Sequence, residues 1–147
     1  MHMYVTQTGQ GQDSSQLRME LIAEYMAWID DRDSSHQRLS GEDTKVHVNL
    51  YDTTGAATAT ITADLVWYYD QQQRIIADGE VLVLTSDGRR LETEWIEWQG
   101  GDRKIRTDRY VHITTPDETV EGTGLEASED LSFYRIGRFK AEVAVDS

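Results

Sequence analysis

The sequence predicts an all-β fold built from repeated antiparallel strand pairs, and three observations predict it. Apolar and polar residues alternate at period two along most of the chain, turn-forming clusters interrupt that alternation at short intervals, and the alternating block repeats on itself. Alternation places one apolar row on the inner face of each strand, and such a row must be covered by another sheet or another copy. The strand pairs therefore close on each other as a sandwich, a roll or a solenoid.

From the N-terminus, Met1-His2-Met3 reads as a cloning remnant, so that an upstream targeting or anchor segment would be missing. Residues 1–16, whose Thr6–Gln16 stretch is rich in Gln, Gly, Ser and Thr, read as a flexible leader. One domain is expected over residues 17–147. Leu17 to Trp28 fits two periods: Leu17, Leu21, Tyr25 and Trp28 have helical spacing, while Met19, Leu21, Ala23 and Tyr25 alternate. The repeat described below decides for strand. A polar insertion, Asp30 to Asp43, separates this segment from Val46-His47-Val48.

Next come one-sided sets at Ile61, Ala63, Leu65; Val81, Val83; Leu91, Thr93, Trp95; and Ile105, Thr107, Val111, Ile113. Polar residues such as Thr62, Asp64, Glu80, Glu92, Glu94, Arg106 and His112 lie between them. Turns are predicted at Asp52 to Gly55, Asp70 to Gln73, Asp78-Gly79, Ser86-Asp87-Gly88, Gly100-Gly101-Asp102 and Thr115-Pro116-Asp117. Asp87-Gly88 between two alternating runs is a hairpin signal, and the single proline sits at a turn.

The repeat has a constant offset of 30 residues, Ile61 falling on Leu91. Ala63, Asp64, Leu65, Val66, Ile75, Asp78, Val81 and Val83 fall on Thr93, Glu94, Trp95, Ile96, Ile105, Asp108, Val111 and Ile113 without a gap. A weaker early copy begins at Leu21 and carries Glu24 where the others carry Asp64 and Glu94. By parity these acids point outward, as a solvated face that discourages edge pairing.

Composition narrows the function. The chain carries 27 Asp+Glu against 14 Lys+Arg, a formal charge of -13, which argues against nucleic acid as a partner, because duplex binding depends on Lys and Arg neutralising phosphates. Only Lys45, Lys104 and Lys140 are lysines, and an acid-rich, lysine-poor surface suits high salt. Without cysteine there is neither a disulfide framework nor a thiolate metal site. There is no run of 18 apolar residues of the kind that crosses a membrane as a helix.

Chemistry-bearing residue types occur, but not in working patterns. His47 and His112 lie on outward positions, His36 lies in the polar insertion, and no pair has metal-site spacing. Ser35-His36 near Asp33 holds the types of a nucleophile and base but no nucleophile elbow. Asp30 to Ser35 lacks the glycine and distal glutamate of a calcium loop, Gly122-Thr123-Gly124 is too short to cradle phosphate, and Glu92 and Glu94 point to solvent. No enzyme, metal or cofactor is expected. What stands out is the inner face itself, either a closed core or a groove for acyl chains. Its residues are Ile61, Ala63, Leu65, Val81, Val83, Leu91, Trp95, Ile105, Val111, Ile113, Leu125 and Phe133.

At the C-terminal end the stretch Gly122-Thr123-Gly124-Leu125-Glu126-Ala127-Ser128-Glu129-Asp130-Leu131-Ser132-Phe133-Tyr134-Arg135-Ile136 resembles the closing motif of the LptC family of lipopolysaccharide-export proteins. Thr62-Ala63-Asp64, Asp78-Gly79-Glu80-Val81, Leu91-Glu92-Thr93-Glu94 and Thr107-Asp108 with Val111 resemble that family's strand pairs, in its order. The likeness spans roughly Leu17 to Ile136. It departs from the family in lacking an N-terminal membrane helix and in Ser128, where aspartate is common.

The resemblance implies a twisted, open β-jelly roll in the periplasm, anchored to the inner membrane by a segment absent here. Such a protein accepts lipopolysaccharide from an inner-membrane ABC transporter and passes it to the periplasmic bridge protein LptA. It implies an LptA-facing edge at Leu131, Tyr134, Ile136, Phe139 and Val143, and a transporter-facing edge at Met19, Leu21, Ala23 and Tyr25. The rival readings are an LptA-like bridge, or a β-roll adaptor that binds protein strands or glycans without lipid.

Overall fold

The computed structural model describes residues 2–8, 15–30, 35–52 and 54–137, with side chains for Met3 and, from Met19 onward, within those ranges. The described residues form twelve strands and no helix. These are β1 (His2–Thr8), β2 (Ser15–Ile22), β3 (Tyr25–Asp30), β4 (Ser35–Ser40), β5 (Val46–Tyr51), β6 (Ala57–Ala63) and β7 (Leu65–Tyr69). The long strands follow: β8 (Arg74–Thr85), β9 (Arg90–Gln99), β10 (Lys104–Thr114) and β11 (Thr119–Ser128), then the short β12 (Tyr134–Ile136).

All pairings are antiparallel. The main path runs β1-β2-β5-β6-β8-β9-β10-β11-β12, with a branch β3-β4-β7-β8. The branch exists because β8 is shared: its first half, Arg74 to Asp78, pairs with β7, and Leu82 to Thr85 pair with β6. The four long strands thus pass from one layer into the other. One layer holds β1, β2, β5 and β6; the other holds β3, β4, β7 and β12. Their inner faces share a single core, from Met19 and Leu21 to Leu131 and Ile136. This is a twisted, open β-jelly roll, as the resemblance implied.

The crossing between layers explains where simple alternation fails. In β9 the buried positions are Leu91 and Thr93, then Ile96 and Trp98; two residues intervene and the buried parity changes. The same step falls between Ala63 and Val66 and between Gly122 and Leu125. The neighbouring strands compensate with an extra residue: β8 has a bulge between Asp78 and Val81, and β10 has one between Thr107 and Tyr110. The 30-residue repeat is therefore a repeat of strand, kink, strand and bulge.

Four expectations change accordingly. Leu65 and Trp95 lie beyond the kink and are half-buried on the outer side, not on the inner row. Asp78-Gly79 is the β8 bulge, not a turn between strands. There Gly79 has φ +89°, and a Cβ on it would lie 2.6 Å from Asp64 Oδ2, so both the conformation and the space require glycine. The polar insertion contains β4, whose Leu39 is fully buried. Finally, His2–Thr8, read as part of a leader, forms β1 against β2, because an uncovered β2 edge offers it a full ladder of partners. The turns at 52–55, 70–73, 86–88, 100–103 and 115–118 lie where the sequence places them.

Candidate lipid-binding face and its lips

Register converts the inner face into two continuous rows. In the first layer Met3, Leu21, Val48, Ile61, Val83, Leu91, Ile113 and Val120 are cross-strand partners in succession, an apolar ladder eight strands wide. At the usual strand spacing that is about 34 Å. In the second layer the corresponding row is Trp28, Gln37, Tyr68, Ile75, Trp98, Ile105, Ala127 and Tyr134. Both rows run across the strands, from the β1/β3 side of the roll to the β11/β12 side.

Of the twelve residues expected on this face, Ile61, Ala63, Val81, Val83, Leu91, Ile105, Val111, Ile113 and Leu125 are brought together in the core. Leu65 and Trp95 sit outside, and Phe133 is 54% exposed at the β11–β12 turn. The middle of both rows is closed, with Val48, Ile61, Val83, Leu91 and Ile113 fully buried. The ends are not: Trp28 is 60% exposed at the β3 edge, and Met3, Val120 and Tyr134 are half-buried.

Among the expected edge residues, Met19, Leu21 and Ala23 point into the core, and β2 is flanked by β1 and β5. On that side the free strands among the described residues are β1 and β3, and Tyr25 on β3 is 51% exposed. At the other side, among the described residues, β12 pairs only with β11, which leaves the outer edge of Tyr134 to Ile136 without a partner strand there. Burial and a hydrogen bond to Glu118 push the Tyr134 phenol up to about 12, so it donates at neutral pH. Leu131 is buried at φ +57° instead of lining an edge, and Phe139 and Val143 lie outside the described residues.

A cluster that the sequence does not announce ties the two layers together. Glu129, only 5% exposed, accepts hydrogen bonds from Trp98 Nε1 at 3.1 Å, Arg103 Nε at 2.9 Å and Thr58 Oγ1 at 2.9 Å, and forms an ion pair with Arg103 Nη2. Arg103 Nη2 also donates to the Tyr51 carbonyl at 2.7 Å. Tyr51 and Thr58 flank the β5–β6 turn of one layer, while Arg103 and Glu129 occupy turns of the other. The cluster therefore clasps the lips of the roll at the end of the strands farthest from the kinks. The only trace of it in sequence is Glu129 within the C-terminal motif.

Among the described residues, the types that could carry chemistry are engaged elsewhere, and Asp31 to Ser34 lie outside those residues. Ser35 Oγ donates to Asp30 at 2.9 Å, while His36 stacks on Tyr69 at 4.7 Å. His47 Nδ1 meets its neighbour's carbonyl, Lys45 O, and His112 lies 3.2 Å from Glu121. Glu92 pairs with Arg90, and Glu94 lies on the outer face. A depression of about 590 Å³ lined by Glu80, Leu82, Arg90, Glu92 and Tyr110 is a feature of that outer face, not of the apolar interior.

An antiparallel roll with an apolar inner face spanning its strands and, among the described residues, free strand edges at both sides defines the class of open β-jelly rolls. Within that class residues 4–134 match the family described as lipopolysaccharide-assembly, LptC-related, and the chain belongs to it. No curated protein matches the chain. The family is one of transport components, not catalysts, and membership implies involvement in periplasmic lipopolysaccharide transport.

Proposed function

We propose that this protein accepts lipopolysaccharide from an inner-membrane ABC transporter and passes it, acyl chains inward, along its inner face to an LptA-type bridge. The observation that carries this reading is the pair of inner rows: one runs from Met3 on β1 to Val120 on β11, the other from Trp28, exposed on the β3 edge, through Gln37 to Tyr134 on the β12 edge. Each methylene removed from water contributes about 0.8 kcal/mol, so several chains inserted part-way outweigh the ordering of a headgroup at the rim. Passage needs no chemistry in this chain, only a partner that supplies lipid on one side and removes it on the other.

The free edges fit the two handovers. An edge strand offers unpaired N–H and C=O groups to a neighbouring roll, so β12, with Tyr134 and Ile136, receives the bridge protein, and the β1/β3 side faces the transporter. In this reading the full-length protein is held at the inner membrane by an N-terminal segment.

Photo-crosslinkers placed one at a time at Met26, Trp28 and Tyr134 (inner face) and at Thr62, Glu92 and Trp95 (outer faces), in cells making lipopolysaccharide, test the route. Adducts confined to the inner positions are expected. Adducts spread equally over both sets, or none at Trp28, refute it.

A further inference from the structure

The clasp at the lips coincides with the densest cationic stretch of a strongly acidic chain. Arg103, Lys104 and Arg106 fall within four residues at the β9–β10 turn, whereas the chain as a whole has about twice as many acids as bases. Arg106 is committed to Asp102 and Glu126. The ammonium of Lys104, half-buried, makes no salt bridge among the described residues, and its charge acts at longer range on Asp102. Arg103 is committed to Glu129, but the two ends of that pair are unequal: the arginine side chain is 27% exposed and the glutamate 6%. A solute arriving from water meets the guanidinium first.

Resting on the acyl-chain reading above, we propose that Arg103 and Lys104 form a binding site for a phosphorylated lipid headgroup, and that its phosphate displaces Glu129 from Arg103 and so parts the lips. The geometry supports each step. A guanidinium binds phosphate bidentately as it binds carboxylate, so the headgroup replaces one anion by another at the same donors. Lys104, next in the chain, adds a second cation that Glu129 does not use.

Once Arg103 turns outward, the contacts joining the layers at this lip lose their centre. Its bond to the Tyr51 carbonyl breaks, and Glu129 keeps only Trp98 and Thr58. Parting admits water to the freed carboxylate, which removes the penalty of leaving it buried and unpaired. The buried rows, sealed at rest, are thereby uncovered where acyl chains attached to that headgroup would enter. Headgroup recognition and opening are then a single event, and an unphosphorylated lipid lacks the means to open the roll.

The test uses hexa-acylated lipid A and the same lipid stripped of phosphate, each with a fluorescent acyl chain, titrated into the purified protein. The expected result is about tenfold tighter loading of the phosphorylated lipid, the equivalent of one charge-assisted hydrogen bond. Lys104→Gln should reduce that preference several-fold while leaving the unfolding midpoint unchanged, because Lys104 is outside the clasp. In a Thr54→Cys/Gly101→Cys pair, placed on exposed turns of the two lips in a chain with no other cysteine, a short bismaleimide should abolish loading that the uncrosslinked pair retains.

Equal loading of the two lipids, an unchanged preference in Lys104→Gln, or undiminished loading after crosslinking would overturn the headgroup gate and leave the acyl-chain reading intact. Failure of the wild-type protein to load either lipid would overturn both.

Discussion

Replacing Glu129 with alanine removes the acceptor at the centre of the clasp, and its consequence can be worked from the contacts. The buried Trp98 N–H loses its acceptor, the Thr58 hydroxyl loses one, and the Arg103 guanidinium is left without its anion inside the lips. Removing one partner of a buried ion pair costs about 3–5 kcal/mol, and because Arg103 retains some contact with water the lower end applies, about 3 kcal/mol. For a domain of this length the unfolding entropy near the midpoint is about 0.3 kcal/mol/K, so the midpoint should fall by about 10 °C.

Glu129→Gln keeps a carbonyl for Trp98 and Thr58 and should lose about half as much. Urea and thermal unfolding followed by tryptophan fluorescence measure both variants, with Glu92→Gln on the outer face as a control expected within about 0.5 kcal/mol of wild type. A double-mutant cycle with Arg103→Ala should give a coupling above about 1 kcal/mol. If Glu129→Ala is indistinguishable from the Glu92 control, or the cycle shows no coupling, the clasp does not hold the layers together.

The bulge gives a second comparison: Gly79→Ala and Gly88→Ala both force alanine to a positive φ, costing about 1 kcal/mol each, but only at Gly79 does the new methyl meet Asp64. Gly79→Ala should therefore be the more destabilising by at least about 1 kcal/mol in urea titrations, and equal losses would mean that the bulge yields. In acid, the Thr44 and Asp43 amides hold the Glu24 carboxyl below its ordinary 4.5, and Asp102 is lowered chiefly by Arg106. Carboxyls depressed by folding stabilise above their unfolded values, and that contribution is lost as pH falls through the folded ones. Thermal midpoints should stay level down to about pH 5 and drop below about 4.5, less steeply in Glu24→Gln; an identical acid limb in that variant would refute the assignment. The acid surplus predicts a rising melting temperature with added salt, which a flat salt series would contradict.

Sequence alone determined the properties that depend on near neighbours. Alternation at Ile105, Thr107, Val111 and Ile113 established strands, Asp87-Gly88 established a hairpin, and the match of Ile61 onto Leu91 established the repeated unit; the C-terminal motif pointed to the family. Nine inner-face residues were legible because a strand's facing is fixed by parity until something resets it. Tertiary structure decided where it resets. The kinks after Asp64 and Glu94 carried Leu65 and Trp95 to the outer side, since a strand that passes from one layer to the other must rotate its side chains, and the compensating bulge lies in the adjacent strand. It also decided that β1 covers β2, and that Thr58 meets Glu129 across 71 residues of sequence and Arg103 meets it across 26. Such contacts follow from how two sheets fold over each other, and period, composition and turn chemistry record only what happens within a few residues of a given position.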